Sequence, residues 1–341
     1  MNRQAVIIAA VCLILGGCSS FSGEKNAGAQ SLNSEEFKTE FHYSPLVGLE
    51  FDNKVMRRDP SDVIKAGPLY YVWYTKGNQY HGYDATIWYA TSEDGRLWTE
   101  RAEALPRGGP GSWDEQSVFT PNILVAEERF YLFFTAVSKP FSDRSKTAIG
   151  IAQAESPDGP WKKFKGNPIL ITGKSGKWIG NSGTKAEPKG AWDSHRVDDA
   201  CLLVRDGKYW LYYKGRQMGL SPRETKMGVA IADRPTGPYI KYENNPLIKS
   251  GHEVLVWPDG GGVVTLIRTG PESNTIQYAP NGLNFSVMGQ LKNQPWAPGA
   301  YRPDAFLDSK HGSGVTWGIS LKVRNKWPYL VRYDCDLGLS K

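Results

Sequence analysis

The chain has 341 residues, a formal net charge of +6, 37 Gly, 12 Trp, 17 Tyr and 12 Phe. The charge is modest and spread along the chain, without the basic block that nucleic-acid binding needs, and this excludes that class of partner. No Cys/His cluster has structural-zinc spacing, while the aromatic and glycine content points to a β-fold with an aromatic-lined surface.

The chain opens with "MNRQAVIIAAVCLILGGC", in which Arg3 precedes an apolar run from Ala5 to Leu15 that is too short to span a bilayer. Leu15-Gly16-Gly17-Cys18 reads as a bacterial lipobox, which makes Cys18 the lipidated first residue of the mature protein. An ordinary secretory signal cut nearby is the alternative. Ser19 gives no signal for inner-membrane retention, and "SSFSGEKNAGAQSLNSEE" is small and polar enough to be a flexible tether. The expected organisation is a signal over 1–18, a tether over 19–40 and one domain over 41–341, held at the cell envelope in the outer membrane or facing the periplasm. Cys12 leaves with the signal. Cys201 and Cys335 then remain for a disulfide or for two buried thiols.

A repeat follows. "YYVWYTK" (70–76), "FYLFFTAV" (130–137) and "YWLYYKG" (209–215) each come after a turn, and each turn after a short apolar strand: "DVIK", "NILVA" and "CLLVR". Downstream, "IWYATSEDGRLWTE", "IGIAQAESPDGPWKKF", "MGVAIADRPTGPYIKY" and "IQYAPNGLNFSVM" share a β-run, a Gly-containing turn and a following aromatic. "NPIL" (167–170) and "NPLI" (245–248) close two units at matching places. The repeat predicts a four-stranded antiparallel meander, recurring with units that begin near residues 59, 117, 199, 252 and 303. Such sheets arranged radially make an all-β, five-bladed β-propeller. A β-sandwich does not explain why aromatic strands recur at one place in each unit.

Propeller blades present binding groups where their innermost strands begin, around the central axis. Asp59 in "RRDPSD", Asp199 in "RVDDA" and Glu253 in "GHEVLVWP" all stand at such places. Asp62 and Asp198 are the alternatives to the first two. Glycoside hydrolysis needs a proton donor for the leaving oxygen and a second carboxylate, and a third acid can hold the donor's pKa up.

The segments "RRDPSDVIK…YYVWYTK", "GYDATIWYATSEDGRLW", "SVFTPNIL…FYLFFTA", "WDSHRVDDACLLVRDGKYWLYYKG" and "GHEVLVWP" together resemble glycoside hydrolase family 117, related to the five-bladed family 43. The resemblance spans most of residues 45–335. It implies an exo-acting enzyme releasing 3,6-anhydro-L-galactose from the non-reducing end of agar-derived oligosaccharides, with inversion. It also implies Asp59 as general base and Asp199 as the acid that orients or tunes the site. Glu253 falls where the propeller relatives keep their general acid, whereas family 117 implies His252 in that role. Histidine's ordinary pKa suits a donor, but neighbours on a regular strand face opposite ways, so only a bulge or strand entrance lets both reach one pocket. The family's N-terminal helical dimerisation segment has at most a short counterpart in "SLNSEEFKTEF", leaving monomer and dimer open.

Further substrate-binding candidates are His81, Tyr83, Asp84, Glu115, Thr120, His195, Lys214, Gln217 and Arg302, residues suited to sugar faces, hydroxyls or sulfate. The chemistry requires no cofactor, and an axial divalent cation is compatible with it. Two other functions fit the same features: a family 43-type arabinofuranosidase or xylosidase, and a non-catalytic glycan-binding surface lipoprotein.

Overall fold

The computed structural model describes residues 39–79, 83–140, 144–303 and 314–337. Asn33–Lys341 forms one compact unit. Its strands build five antiparallel sheets. The first strand, β1 (His42–Pro45), stands apart from the blade that follows it. Blade one contains β2 (Met56–Arg58), β3 (Ile64–Ala66), β4 (Leu69–Gly77), β5 (Ala85–Ser92) and β6 (Trp98–Leu105), with β2 and β3 as two pieces of the innermost strand. Blade two contains β7 (Ser117–Ala126), β8 (Arg129–Val137), β9 (Ala148–Ala154), β10 (Lys162–Lys163) and β11 (Leu170–Ile171). Blade three has β12 (Arg196–Arg205), β13 (Lys208–Arg216), β14 (Lys226–Ala232) and β15 (Ile240–Lys241). Blade four has β16 (Leu255–Asp259), β17 (Gly262–Ile267), β18 (Thr275–Ala279) and β19 (Ser286–Gln290). Blade five has β20 (Trp296–Ala300), β21 (Val315–Arg324) and β22 (Trp327–Leu337). Among the described residues the one helical element is a 3-10 turn, Pro222–Glu224.

The ring closes by pairing the two ends of the domain. Strand β1 adds to β22, with His42 opposite Asp334 and Pro45 opposite Val331. The seam is tight: a Cβ on Gly299 would lie 1.8 Å from the Ser61 carbonyl oxygen, so only glycine lets blades five and one meet there.

The aromatic strands are apolar on both faces because each second strand sits between two neighbouring blades. Alternation sends Tyr71 and Trp73 of β4 toward blade two, where they join Leu132 and Phe134 of β8. Val72 and Tyr74 turn the other way, toward Ile319 and Leu330 of blade five. Likewise Tyr131 and Phe133 pack on Leu211 and Tyr213 of blade three. The core is thus a set of layers between blades. The Asn-Pro motifs also have a physical role. The Asn167 side-chain amide exchanges two hydrogen bonds of 2.9 Å with the backbone of Ile151, and Asn245 does the same for Val229 at 3.0 and 2.8 Å. Each amide serves as one more strand partner for the third strand of its blade.

Two sequence expectations are corrected. Blade five begins at Trp296, not near 303, and Arg302 lies beyond its innermost strand. There its guanidinium is 2% exposed and pairs with Asp62 Oδ2 at 2.8 Å, while donating to the carbonyl of Val256 at 2.7 Å. Asp62 Oδ1 accepts the Ala300 N–H at 2.9 Å. This buried pair ties the inner strands together and touches no substrate pocket. Cys201 and Cys335 are both free thiols, the first buried and the second half-buried.

Candidate active site

The five innermost strands share one irregularity. Asp59, Thr120, Asp199, Glu253 and Ala297 all have left-handed backbone, with φ of 49°, 43°, 53°, 63° and 43°. In blades two, three and five the ladder slips beside this residue, between Phe119 and Asn122, Asp198 and Cys201, and Trp296 and Gly299. Such a conformation is unfavourable for non-glycine residues, and most so for β-branched Thr120, at roughly 1–3 kcal/mol each. The bulge turns the residue at each strand entrance toward the axis. The resulting floor is a small cavity of ≈ 40 Å³ lined by all five residues. Three of the five are acids, and the structure selects Asp59 and Asp199 over Asp62 and Asp198 for this position. Asp198 sits one residue earlier, 3.4 Å from Lys214 Nζ.

In blade four the left-handed turn at Glu253, just before β16, answers how neighbours share a pocket. His252 and Glu253 both line a hollow of ≈ 650 Å³ that opens outward across blades four and five. His252 also borders a second cavity, of ≈ 210 Å³, with Tyr83, Phe119, Arg196, Asp199, Lys214 and Arg216. Of the residues preceding the entrances, His252 and Trp296 border the outer hollow, Phe119, Asp198 and His252 border the inner cavity, and Arg58 pairs with Asp59.

Electrostatics separate the acids. Asp199 is buried, which resists ionisation, but Lys214 Nζ at 2.6 Å and the N–H of Glu253 at 3.2 Å hold its pKa below the ordinary value. Burial raises Asp59, against the pull of Arg58 Nε at 2.8 Å. Glu253 is pushed up to about 7, by burial first and then by the charges of Asp59 and Asp199. His252 is driven down to about 3 by burial and by Lys214, with Arg58 and Arg216 adding to it, although Asp199 opposes. Its Nε2 lies 3.5 Å from Glu253 Oε1. At neutral pH the pocket therefore holds a partly protonated glutamic acid beside an uncharged imidazole. A poised carboxylic acid facing a second buried carboxylate is the arrangement general acid–base hydrolysis requires.

The remaining predicted residues divide. Tyr83 stacks on Phe119 with ring centroids 4.2 Å apart, under the Arg58 guanidinium at 4.8 Å, and walls the inner cavity with Lys214. Thr120 stands in the floor, its hydroxyl bonded to Thr135 at 2.5 Å. Asp84 is instead paired with Arg107, and Glu115 accepts the Gly111 N–H at 2.7 Å, both away from the cavities. His195 is buried behind the Trp178 edge, 5.1 Å between centroids, and Gln217 donates to the Gly190 carbonyl at 2.7 Å, so both support the loop before blade three. His81 lies outside the described residues, as do Cys18 and the tether up to residue 38. Among the described residues no group of three His, Cys, Asp or Glu side chains is arranged to hold a metal ion, and the axis carries the Asp62–Arg302 pair. The residues missed were Arg58, Phe119 and above all Trp296. Its signal was present: Trp296-Ala297-Pro298 repeats the pattern of Arg58-Asp59-Pro60 and Phe119-Thr120-Pro121.

Comparison with known proteins agrees with this geometry. Residues 52–179 match the glycosyl hydrolases family 43 model. A xylosidase/arabinosidase of Bacteroides ovatus is 34% identical over 73 residues, and an Allium cepa bifunctional fructosyltransferase 34% identical over 125 residues. Those matches cover 21% and 33% of this chain, and the chain spans only 21% and 18% of the two relatives' lengths. The solved structure of Zg3597, a family 117 glycoside hydrolase produced by the marine bacterium Zobellia galactanivorans, superposes with a TM-score of 0.78 and 32% identity, over 91% of this chain and 93% of that one. With that identity sustained across nearly the whole of both chains, and a propeller carrying three acids at its axis, this chain is a glycoside hydrolase and belongs to family 117.

Proposed function

We propose that the protein is an exo-acting glycosidase that removes a terminal 3,6-anhydrogalactose-type sugar from algal galactan oligosaccharides, with inversion. The observation that carries the reading is Glu253, held near pKa 7 between two other buried acids, where it lines both the axial floor and the open hollow, while its neighbour His252 borders the inner cavity as well. The smaller inner cavity, ≈ 210 Å³ walled by Tyr83 and Phe119, has room for one sugar ring and not an internal chain segment. The open side receives the rest of the oligosaccharide. Glu253 protonates the leaving oxygen, and Asp59, whose raised pKa makes it a stronger base, activates water. Asp199, kept ionised by Lys214, holds the proton on Glu253. A marine relative of the same family supports an algal substrate.

The test is a panel of agar, carrageenan, porphyran and arabinan oligosaccharides, with released sugars identified and the first-formed anomer read by NMR. Anhydrogalactose released from the non-reducing end with inverted configuration is expected. Release of arabinose or xylose moves the enzyme to the family 43-type reading favoured by its Bacteroides ovatus relative. Binding without any release makes it a glycan-binding protein. We further propose that Cys18 is acylated and anchors the enzyme to the envelope. Cys18→Ser protein is then expected in the soluble fraction, and unchanged membrane partitioning rejects the anchor.

A further inference from the structure

The outward hollow beside Glu253 continues into another of ≈ 540 Å³, with which it shares Arg268, Asn293 and Trp296. Together they make a trough leading away from the acid across blades four and five. Its charge is one-sided. Arg223, Arg268, Lys292 and Lys322 line it, and Glu253 is the sole carboxylate among its described lining residues.

Trp296 forms the floor of the trough at the rim of the catalytic pocket and is 49% exposed. A large exposed aromatic beside a polar cleft is a platform for a sugar face. The Arg268 guanidinium lies over that ring, 4.9 Å from its centroid, and makes one long contact of 3.5 Å with Asn274 Oδ1. Arg268 lines both hollows, and a guanidinium held over an aromatic ring with most of its donors unbonded among the described residues suits recognition of a planar or tetrahedral anion. Arg268 feels the charges of Tyr43 and Glu253, but burial, Asp59, Asp199, Lys214 and Arg58 are the larger influences on Glu253. Farther out, Lys322 repeats the motif over Tyr43 at 4.2 Å.

We propose that this trough is the leaving-group subsite and that it selects oligosaccharides whose sugar next to the cleaved bond carries an anionic group, a sulfate ester or a carboxylate. The ring stacks on Trp296 and the anion is held by Arg268, flanked by Lys292. The assignment of sides rests on the glycosidase reading, since the leaving oxygen must face the proton donor.

The test uses Asp59→Asn protein, whose substitution lies outside the trough and lets substrate survive. Calorimetric titration compares one galactan oligosaccharide in sulfated and desulfated forms with a uronate-bearing oligosaccharide of equal length. At least tenfold tighter binding of an anionic form is expected, shrinking as salt rises, and the tighter of the two identifies the anion. Adding Arg268→Gln should abolish most of that preference, Arg268→Lys should keep part of it, and Trp296→Ala should weaken all three ligands together. Equal affinity for neutral and anionic forms, or a preference that survives Arg268→Gln in protein of unchanged melting temperature, overturns the proposal. Hydrolysis is read separately on the protein without substitutions. Neutral oligosaccharides cleaved as fast as anionic ones leave the glycosidase reading standing and this one refuted. Anionic selectivity in binding without cleavage does the reverse.

Discussion

The backbone N–H of Glu253 donates to Asp199 Oδ2 at 3.2 Å, and Glu253 Oε2 in turn accepts the Ala297 N–H at 2.6 Å. The entrance residues of blades three, four and five are thus linked by hydrogen bonds, and the carboxylates are fixed by backbone as well as by charge. The proton affinity of Glu253 depends on which of its neighbours are ionised, so the pH profile reports the site directly.

Asp199→Asn removes a negative charge and leaves Lys214 less compensated. Both changes favour the ionised form of Glu253, whose folded pKa of about 7 therefore falls. On the proposed assignment Glu253 is the proton donor and works below its pKa, so the alkaline limb of kcat/KM should move to lower pH, while Lys214→Met should move it higher. Rate profiles of the two variants check this. A limb that stays in place in both assigns it to another group.

His252 is uncharged across the working range, with its pKa near 3, so it contributes no limb near neutrality. Glu253→Gln should cost two to four orders of magnitude on natural oligosaccharides, in line with the size of general acid catalysis, and far less on a substrate with a good leaving group. His252→Ala should lower both rates by a similar factor, as expected for a residue that positions substrate or orients Glu253. The ratio of the two substrate rates in each variant measures this. The reverse pattern makes His252 the donor, the role implied by family resemblance.

The propeller was legible because its signal repeats: a strand buried on both faces must be apolar without alternation, and three such strands follow similar turns. Asp59, Asp199 and Glu253 were legible from their place in those repeats. Blade five was misplaced because its innermost strand, "WAPGA", has neither an acid nor a bulky apolar run. Its entrance residue, Ala297, carries no functional group, and only the proline that follows it, as at Pro60 and Pro121, marks the place in the sequence. The loop candidates fared worst, because Asp84, Glu115 and Gln217 have the same chemistry whether they meet a sugar or, as here, an arginine or a backbone group of a nearby loop. Strand β1 closing the ring was missed altogether, since four residues opposite a strand at the other end of the chain leave no local pattern.

Arg302 offers a test of architecture without chemistry. Its guanidinium and the Asp62 carboxylate are almost fully buried, so removing one partner strands a charge. Arg302→Met should destabilise the protein by about 3–5 kcal/mol, and Asp62→Leu in the same chain should recover much of the loss. Chemical denaturation of the single and double variants checks this. Equal stability of the two places the pair outside the ring's support.

Glu253 also makes the active site a stability cost that varies with pH. Its pKa in the folded protein is about 7, raised from an ordinary 4.5, with burial the first cause. Between those values the folded state binds the proton more tightly than the unfolded chain does. This group's contribution is therefore fully present below the unfolded pKa and is lost as pH rises through the folded one. Each pKa unit corresponds to about 1.4 kcal/mol, so the charged carboxylate costs the fold on the order of 3 kcal/mol at pH 8. Glu253→Gln keeps the shape and one acceptor but carries no charge. The variant should be more stable than the parent at pH 8 by roughly 1–3 kcal/mol, and the difference should shrink to under about 1 kcal/mol at pH 5 and vanish only below the unfolded pKa. Urea denaturation at the two pH values measures it. A difference that does not change with pH shows that the inactive variant's stability comes from packing alone and that Glu253 is not the group held near neutrality.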